Sequence, residues 1–429
     1  MRPSWITRKV FVRLWEIIFE HRVKGTGKMR RILFGVSLFI ACLVLTSGSV
    51  NAAEEEKPLA PGWLSLDSTV GLMDKAIANG KGAVEGGLGI GISGFLDTSY
   101  TWSSNHPRSP ANISGRYFDK DHNKIVFNDF HIEVDKPEKD WGVGFHISGD
   151  FGRMGELLRE ATLWGKSLHR EPSAELREAF LTTTIPVGEG LALKGGLMVT
   201  PLGTEILPNP GAYNDNISRS FLFNLAIPFR HLGMMASYPV LKILTVQGGI
   251  FTGWDDPHDN NHQPSFHVGA TLTPTDWISF VSNFITGAEQ RNRGGPKRHV
   301  LANVLTVKPL DPLALSFEYD YGHEGDVTPS GRDGTWQGWA GIASYSWTDR
   351  FTTALRGEVF KDSDGVRTGV GRDVIVGEIT FTSSYKFTKM LIGRAEVRQD
   401  WADKSVFQKR ATGADKNQTT LAMQLIYTY

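Results

Sequence analysis

Apolar and polar residues alternate one for one along this chain, in run after run from about Gly86 to the last residue, Tyr429. A period of two is the pattern of a strand with one face in an apolar medium and the other in a polar one. Leu313, Leu315, Phe317, Tyr319 and Tyr321 interleave with Ala314, Ser316, Glu318 and Asp320. Trp141, Val143, Phe145 and Ile147 interleave with Gly142, Gly144, His146 and Ser148. About sixteen such runs are predicted: 89–102, 124–135, 141–151, 177–187, 190–200, 229–239, 242–254, 264–273, 277–287, 298–308, 312–322, 336–347, 350–360, 373–385, 388–399 and 418–429. In 277–287 and 298–308 either face could be the apolar one.

The gaps between runs alternate too. Short links at 136–140, 188–189, 240–241, 274–276, 309–311, 348–349 and 386–387 trade places with long polar stretches such as 103–123, 152–176, 201–228 and 400–417. Short turns at one end and long loops at the other describe an up-and-down transmembrane barrel, whose tilted strands of about 10 residues match a bilayer. Closure leaves no unpaired edge for hydrocarbon to penalise. Aromatic residues near run ends form two girdles, Trp102, Phe151, Trp254 and Tyr321 at one interface and Trp141, Tyr238, Trp347, Tyr385 and Tyr427 at the other. A secreted soluble sandwich is the competing reading, but it would need a partner sheet that the sequence lacks. The fold class expected is therefore all-β, a transmembrane up-and-down antiparallel β-barrel of about 16 strands. The final run, Leu421, Met423, Leu425, Tyr427 and Tyr429, has the form of a C-terminal assembly signal.

Composition enters through its asymmetry. The chain of 429 residues balances 46 basic against 46 acidic side chains, yet residues 1–52 hold nine Lys/Arg and two acids, leaving the remainder acidic. Mean hydropathy of −0.21 and this balance argue against a polytopic helical membrane protein and against a nucleic-acid binder. Met29-Arg30-Arg31, an apolar run from Ile32 to Leu45 and a small-residue end at Val50-Asn51-Ala52 read as an export signal cleaved after Ala52. Residues 1–28 are either an extended signal or precede a true start at Met29. The expected organisation is 1–52 extension and signal peptide (core signal 29–52), 53–85 a periplasmic segment with a short helix from Asp67, and 86–429 the barrel. The one cysteine, Cys42, sits in the apolar run, so the exported part has no thiol chemistry.

Motifs suggestive of chemistry fail on context. Gly89-Ile90-Gly91-Ile92-Ser93-Gly94 matches a dinucleotide fingerprint but leads into an alternating strand, not a helix. Asp119-Lys120-Asp121-His122-Asn123 begins like a calcium loop but lacks the turn glycine and closing Glu. Asp255, Asp256, His258, Asp259 and His262 share one polar loop, and Asp362-Ser363-Asp364-Gly365 reads as a turn. No nucleophile elbow and no H-E-x-x-H occurs. No enzymatic step, no cofactor and no metal is expected.

Several segments resemble the outer-membrane β-barrel porins of the OmpL-like type, over about Gly94 to Tyr429. They are Arg177-Glu178-Ala179-Phe180, Thr200-Pro201-Leu202-Gly203-Thr204-Glu205, Ser218-Arg219-Ser220-Phe221-Leu222-Phe223, Gly253-Trp254-Asp255, Arg356-Gly357-Glu358-Val359-Phe360 and Arg394-Ala395-Glu396-Val397-Arg398. The resemblance implies a pore in the outer membrane of a Gram-negative bacterium and names no solute. The polar phase of the strands carries Asp97, Asp129, His131, Glu133, Asp150, Glu178, Lys194, Glu318, Asp320, Glu358, Glu378 and Glu396, together with Arg356, Arg394 and Arg398. Each would cost about 2–4 kcal/mol facing lipid at mid-depth, so they are expected to line the lumen. By resemblance to sixteen-stranded general porins, the long loop 201–228 is expected to fold inward. Its Glu205, Asp215 and Arg219 would then oppose Arg356, Arg394 and Arg398 across a constriction. The expected function is passive diffusion of small hydrophilic solutes or ions with mild cation preference. The alternatives are a pore selective for anions or small sugars, and a non-conducting structural or adhesive barrel. Expected partners are outer-membrane lipid, the barrel-assembly machinery, the solutes and, by analogy, a homotrimer; no nucleic acid is expected.

Overall fold

A computed structural model describes residues 89–108, 112–138, 142–161 and 174–429. The signal, the short helix expected from Asp67 and Trp141 of the short-turn girdle lie outside them. The wall begins with β1 (Gly91–Ser103), β2 (Ile125–Lys136), β3 (Gly144–Phe151), β4 (Ala174–Ile185), β5 (Leu191–Val199) and β6 (Arg230–Leu241). It continues through β7 (Leu244–Phe251), β8 (Ser265–Thr275), β9 (Ile278–Gly287), β10 (Arg298–Leu310) and β11 (Leu313–Glu324). Then come β12 (Gly334–Ser346), β13 (Phe351–Asp362), β14 (Val374–Lys386) and β15 (Leu391–Ala402). A small hairpin, β16 (Phe407–Lys409) with β17 (Gly413–Asp415), precedes the last wall strand, β18 (Asn417–Thr428).

Each wall strand pairs antiparallel with its chain neighbour, and β18 pairs with both β15 and β1, so sixteen strands close on themselves. At the seam Phe95 faces Thr428 and Ser103 faces Thr420. Gly94 and Tyr429 exchange backbone hydrogen bonds at 3.1 Å. The Tyr429 ring lies so close to Gly94 that a Cβ there would meet its hydroxyl at 2.4 Å. Glycine at 94 therefore lets the terminal residue complete the ring of strands.

Burial runs opposite to that of a soluble protein. Leu355 and Val359 are 47% and 45% exposed, while Arg356 and Glu358 between them are 0% and 3% exposed. The same inversion holds for Phe317 against Glu318 and for Met423 and Leu425 against Gln424. A charged lining and an apolar exterior are stable only where the exterior meets lipid. The two weakest runs settle as β9 and β10, with Phe280, Phe284 and Leu305 outward and Asn283 and Thr306 inward.

Three elements among the described residues went unread in the sequence, one of them a π-helical turn at Leu222–Ala226 in the loop after β5. Helix α1 (Arg153–Ala161) opens the loop after β3, and buries Met154, Leu157 and Leu158. These apolar positions repeat at helical spacing, but they are few within a polar stretch. The hairpin β16–β17 is too short for its alternation to stand out from the surrounding loop.

Replacing outward Leu355 with Arg at mid-wall should destabilise the barrel by about 2–4 kcal/mol, read as a shift in denaturant unfolding from lipid vesicles. An unchanged midpoint would contradict the lipid-facing assignment.

Candidate functional site

The loop between β5 and β6 does not stay at the rim. It leaves β5 at Thr200, crosses to the far wall and returns at Phe229, and side chains of the wall fasten its backbone along the way. Asn283 on β9 donates to the Pro201 carbonyl at 2.8 Å, and Glu318 on β11 accepts from the Thr204 amide at 3.0 Å. Glu396 on β15 accepts from the amides of Ile217 at 2.6 Å and Ser218 at 3.1 Å. Glu358 on β13 accepts from the amides of Phe221 and Leu222. The arginines take the carbonyls: Arg356 binds Ser218 O at 2.7 Å, Arg398 binds Arg219 O at 2.6 Å, Arg394 binds Asn214 O and Arg177 binds Pro208 O.

Within the loop, Asn214 closes the stretch from 206 by exchanging two hydrogen bonds with the Ile206 backbone, at 2.8 and 2.7 Å. Asp255, which shares its sequence loop with two histidines, accepts from the amides of Phe229 at 2.6 Å and Arg230 at 2.9 Å and so anchors the returning end. Asp362 serves the neighbouring turn in the same way, accepting from the amides of Val366, Arg367 and Thr368.

The six residues expected at a constriction are all buried or nearly so, but they do not face one another across a gap. Glu205 touches Arg356 at 2.7 Å, and Arg356 also pairs with Glu378 at 2.7 Å. Asp215 accepts from Ser344 at 3.2 Å. Arg394 donates to Gln424 at 3.1 Å, and Arg398 pairs with Asp400 at 2.5 Å. Arg219 lies over the Phe223 ring at 5.8 Å. Glu205 and Arg356 close the gap to contact, because leaving either alone in so enclosed a place would cost its solvation.

The remaining inward set divides by partner. Asp129 and Asp150 share Arg177, at 3.1 and 2.5 Å. Asp97 accepts from Asn128 at 3.0 Å and Gln424 at 2.8 Å, and Glu178 accepts from the Val199 amide at 2.9 Å. Glu133 accepts from Ser93 at 3.0 Å, and the Lys194 ammonium sits 4.4 Å above the Phe180 ring. Asp320 is fully buried between strands that present Ala302 and Gly338, with the Glu318 carboxyl beside it.

Over the loop, on its long-loop side, three segments build an apolar layer. Phe118 from the loop after β1, Leu157 and Leu158 of α1, and Phe221, Leu222, Phe223 and Phe229 pack with Trp336 and Phe360 of the wall. Tyr117 ties the layer together, giving its amide to Asn224 at 3.0 Å and its hydroxyl to the Leu157 carbonyl at 2.7 Å. Sequence reasoning missed this layer, whose signal is the Phe221-Leu222-Phe223 run inside an otherwise polar loop.

A closed sixteen-stranded antiparallel barrel, apolar outside, charged inside and crossed by its third long loop, defines a porin-type outer-membrane barrel. The chain belongs to the family described as "Putative beta-barrel porin-2, OmpL-like", whose model matches residues 89–429. Solved structures share the architecture at low identity. The outer membrane channel DcaP of Acinetobacter baumannii is 12% identical with a TM-score of 0.53, over 79% of this chain and 97% of its own. OmpT of Vibrio cholerae is 11% identical with a TM-score of 0.53, over 79% and 97%. An anion-selective porin from Comamonas acidovorans is 10% identical with a TM-score of 0.52, over 79% and 99%. No curated protein sequence matches the chain.

Arg356→Ala strands Glu205 and Glu378 and should cost about 3–5 kcal/mol in thermal unfolding of the detergent-solubilised barrel; a loss below about 1 kcal/mol would contradict the anchoring role. In the loop, burial pushes the Asp215 carboxyl up to about 7, with Arg394 and Ser344 opposing that rise only in part. The folded state therefore holds a proton that the unfolded state has released above its value of 3.8. Stability should accordingly fall as pH rises from there through about 7. Asp215→Asn should flatten that slope in melting curves taken across the range, and an unaltered slope would refute the assignment.

Proposed function

We propose that the barrel is a passive channel for small hydrophilic solutes and ions across the outer membrane, narrowed by residues 200–229 and mildly selective for cations. The observation that supports the sign is how the wall charges are used. Arg177, Arg356, Arg394 and Arg398 are each held by carboxylates or loop carbonyls. Carboxylates outnumber them on the same surface, among them Glu133 and Glu178. A surplus of fixed negative charge in a low-dielectric passage concentrates cations. The fold does not decide this, since one barrel of similar architecture is described as anion-selective. One OmpT structure is described as a trimer form, and a homotrimer delivered by an export signal and the barrel-assembly machinery is part of the proposal.

The apolar layer favours a second reading, a closed barrel that presents its long loops to a partner. Single-channel recording in a planar bilayer under a potassium chloride gradient separates the two. Stepwise current with a reversal potential of the sign for potassium is expected. Equal permeability or a chloride preference would refute the selectivity, and insertion without current would favour the closed barrel. Deleting residues 206–217 should raise conductance; an unchanged value would sink the constriction.

A further inference from the structure

Midway along its strands the wall turns side chains such as Leu181, Met234, Leu355 and Ile379 outward, as lipid requires. β9 and β10 depart from this. Ser282 and Asn303 stand opposite one another in the middle of the two strands. Their neighbours Val281, Asn283, Ala302 and Val304 are buried inward, so Ser282 and Asn303 face out. The other outward carboxamides of the wall strands, Gln337, Gln399 and Asn417, sit nearer the long-loop ends of β12, β15 and β18. Asn303 is thus the one that faces the apolar band at mid-strand among the described residues.

The Ser282 hydroxyl donates to Asn303 Oδ1 at 2.8 Å. That bond occupies the amide carbonyl, and no described residue takes the two N–H donors of Asn303 Nδ2. The polarity continues toward the long-loop rim on the same strands. Thr286 and His299 face each other outward at 2.8 Å, and His299 stacks on His323 of β11 with centroids 6.0 Å apart. Beside Asn303 on β11, Tyr319 gives its hydroxyl to Gln337 at 3.2 Å. A polar stripe therefore runs down the outside of β9–β11, framed by the outward rings of Phe280, Phe284 and Phe317.

In hydrocarbon an open amide donor has no water to turn to. A protein neighbour supplies a partner, which is why polar side chains at membrane depth gather where protein packs on protein. We propose that the outward face of β9–β11 packs on a second copy of this chain, about an axis that brings each Asn303 beside its equivalents. A carboxamide carries both donor and acceptor, so identical copies satisfy one another around such an axis. A buried Asn sets register and copy number in a coiled coil in the same way. The surrounding phenylalanines then pack against their counterparts. The proposal rests on the homotrimer of the channel reading, to which it assigns the wall that faces the axis; it needs no ion flow.

Cysteine cross-linking of the full chain in native membranes tests the surface, in a Cys42→Ser background with a short bismaleimide. Asn303→Cys should join two copies into a covalent pair on a denaturing gel. Ile147→Cys, which faces outward on β3 across the ring, should not. In mild detergent, light scattering should give the mass of three chains. Asn303→Leu should weaken their association at least about tenfold, and Asn303→Gln, which keeps the amide, should weaken it less. Circular dichroism should be unchanged in both, since leucine suits a lipid-facing position. Oligomers that join through Ile147→Cys and are indifferent to Asn303→Leu would overturn this face and leave the homotrimer standing. A chain that is monomeric in the membrane would overturn both. Joining of Asn303→Cys to a protein of another mass would overturn the contact between copies.

Discussion

Every backbone amide and carbonyl that leaves water must find another partner, and in this protein that requirement is met twice. In the wall it is met by closure: sixteen strands pair in sequence and the last pairs with the first. Inside the lumen it is harder to meet, because the segment from Thr200 to Phe229 is mostly irregular and pairs with itself chiefly in the π-helical turn at Leu222–Ala226 and in short contacts such as Asn209 with Ala212. Each unsatisfied group there would cost about 1–3 kcal/mol. The wall supplies the missing partners, carboxylates for the amides and guanidinium groups for the carbonyls.

This use of charge explains why the inward phase is so rich in both signs. Glu358 and Glu396 each accept from two consecutive amides, much as an N-cap residue does for a helix. Arg356 reaches two carboxylates and a carbonyl at once, the multiple engagement that a planar guanidinium permits and an ammonium does not. The apolar layer of Phe118, Leu158, Phe221 and Phe223 then shields these bonds from the long-loop side. Charge fastens the loop to the wall below, and hydrophobic contact holds it to the neighbouring loops above.

The strands were legible because a period of two leaves a mark on every residue, and Leu355-Arg356-Gly357-Glu358-Val359 could face its charges only one way. The inward turn of the long loop was legible only by resemblance, since nothing in Asn209 to Asn216 states a direction. That Glu205 would touch Arg356 could not be read, because 151 residues separate them and the reach depends on how far the loop crosses. In sequence Asp255 is one acid of a polar loop, and its role as an anchor for two amides follows from where the loop returns. Helix α1 stayed hidden because its apolar side is only Met154, Leu157 and Leu158, and the partner surface comes from two other loops.

The claim on which this account stands is that the segment carrying Asp215 lies against β12 on the far wall. The direct measurement is thiol cross-linking of an Asp215→Cys, Ser344→Cys pair in a Cys42→Ser background, in barrels held in native membranes, with a short bifunctional reagent. The side chains of Asp215 and Ser344 meet at 3.2 Å, so the pair should join rapidly, while Asp215→Cys with Gln247→Cys on β7 should not. Failure of the first pair to join in a folded barrel, or equal joining of both, would contradict a loop fastened across the lumen.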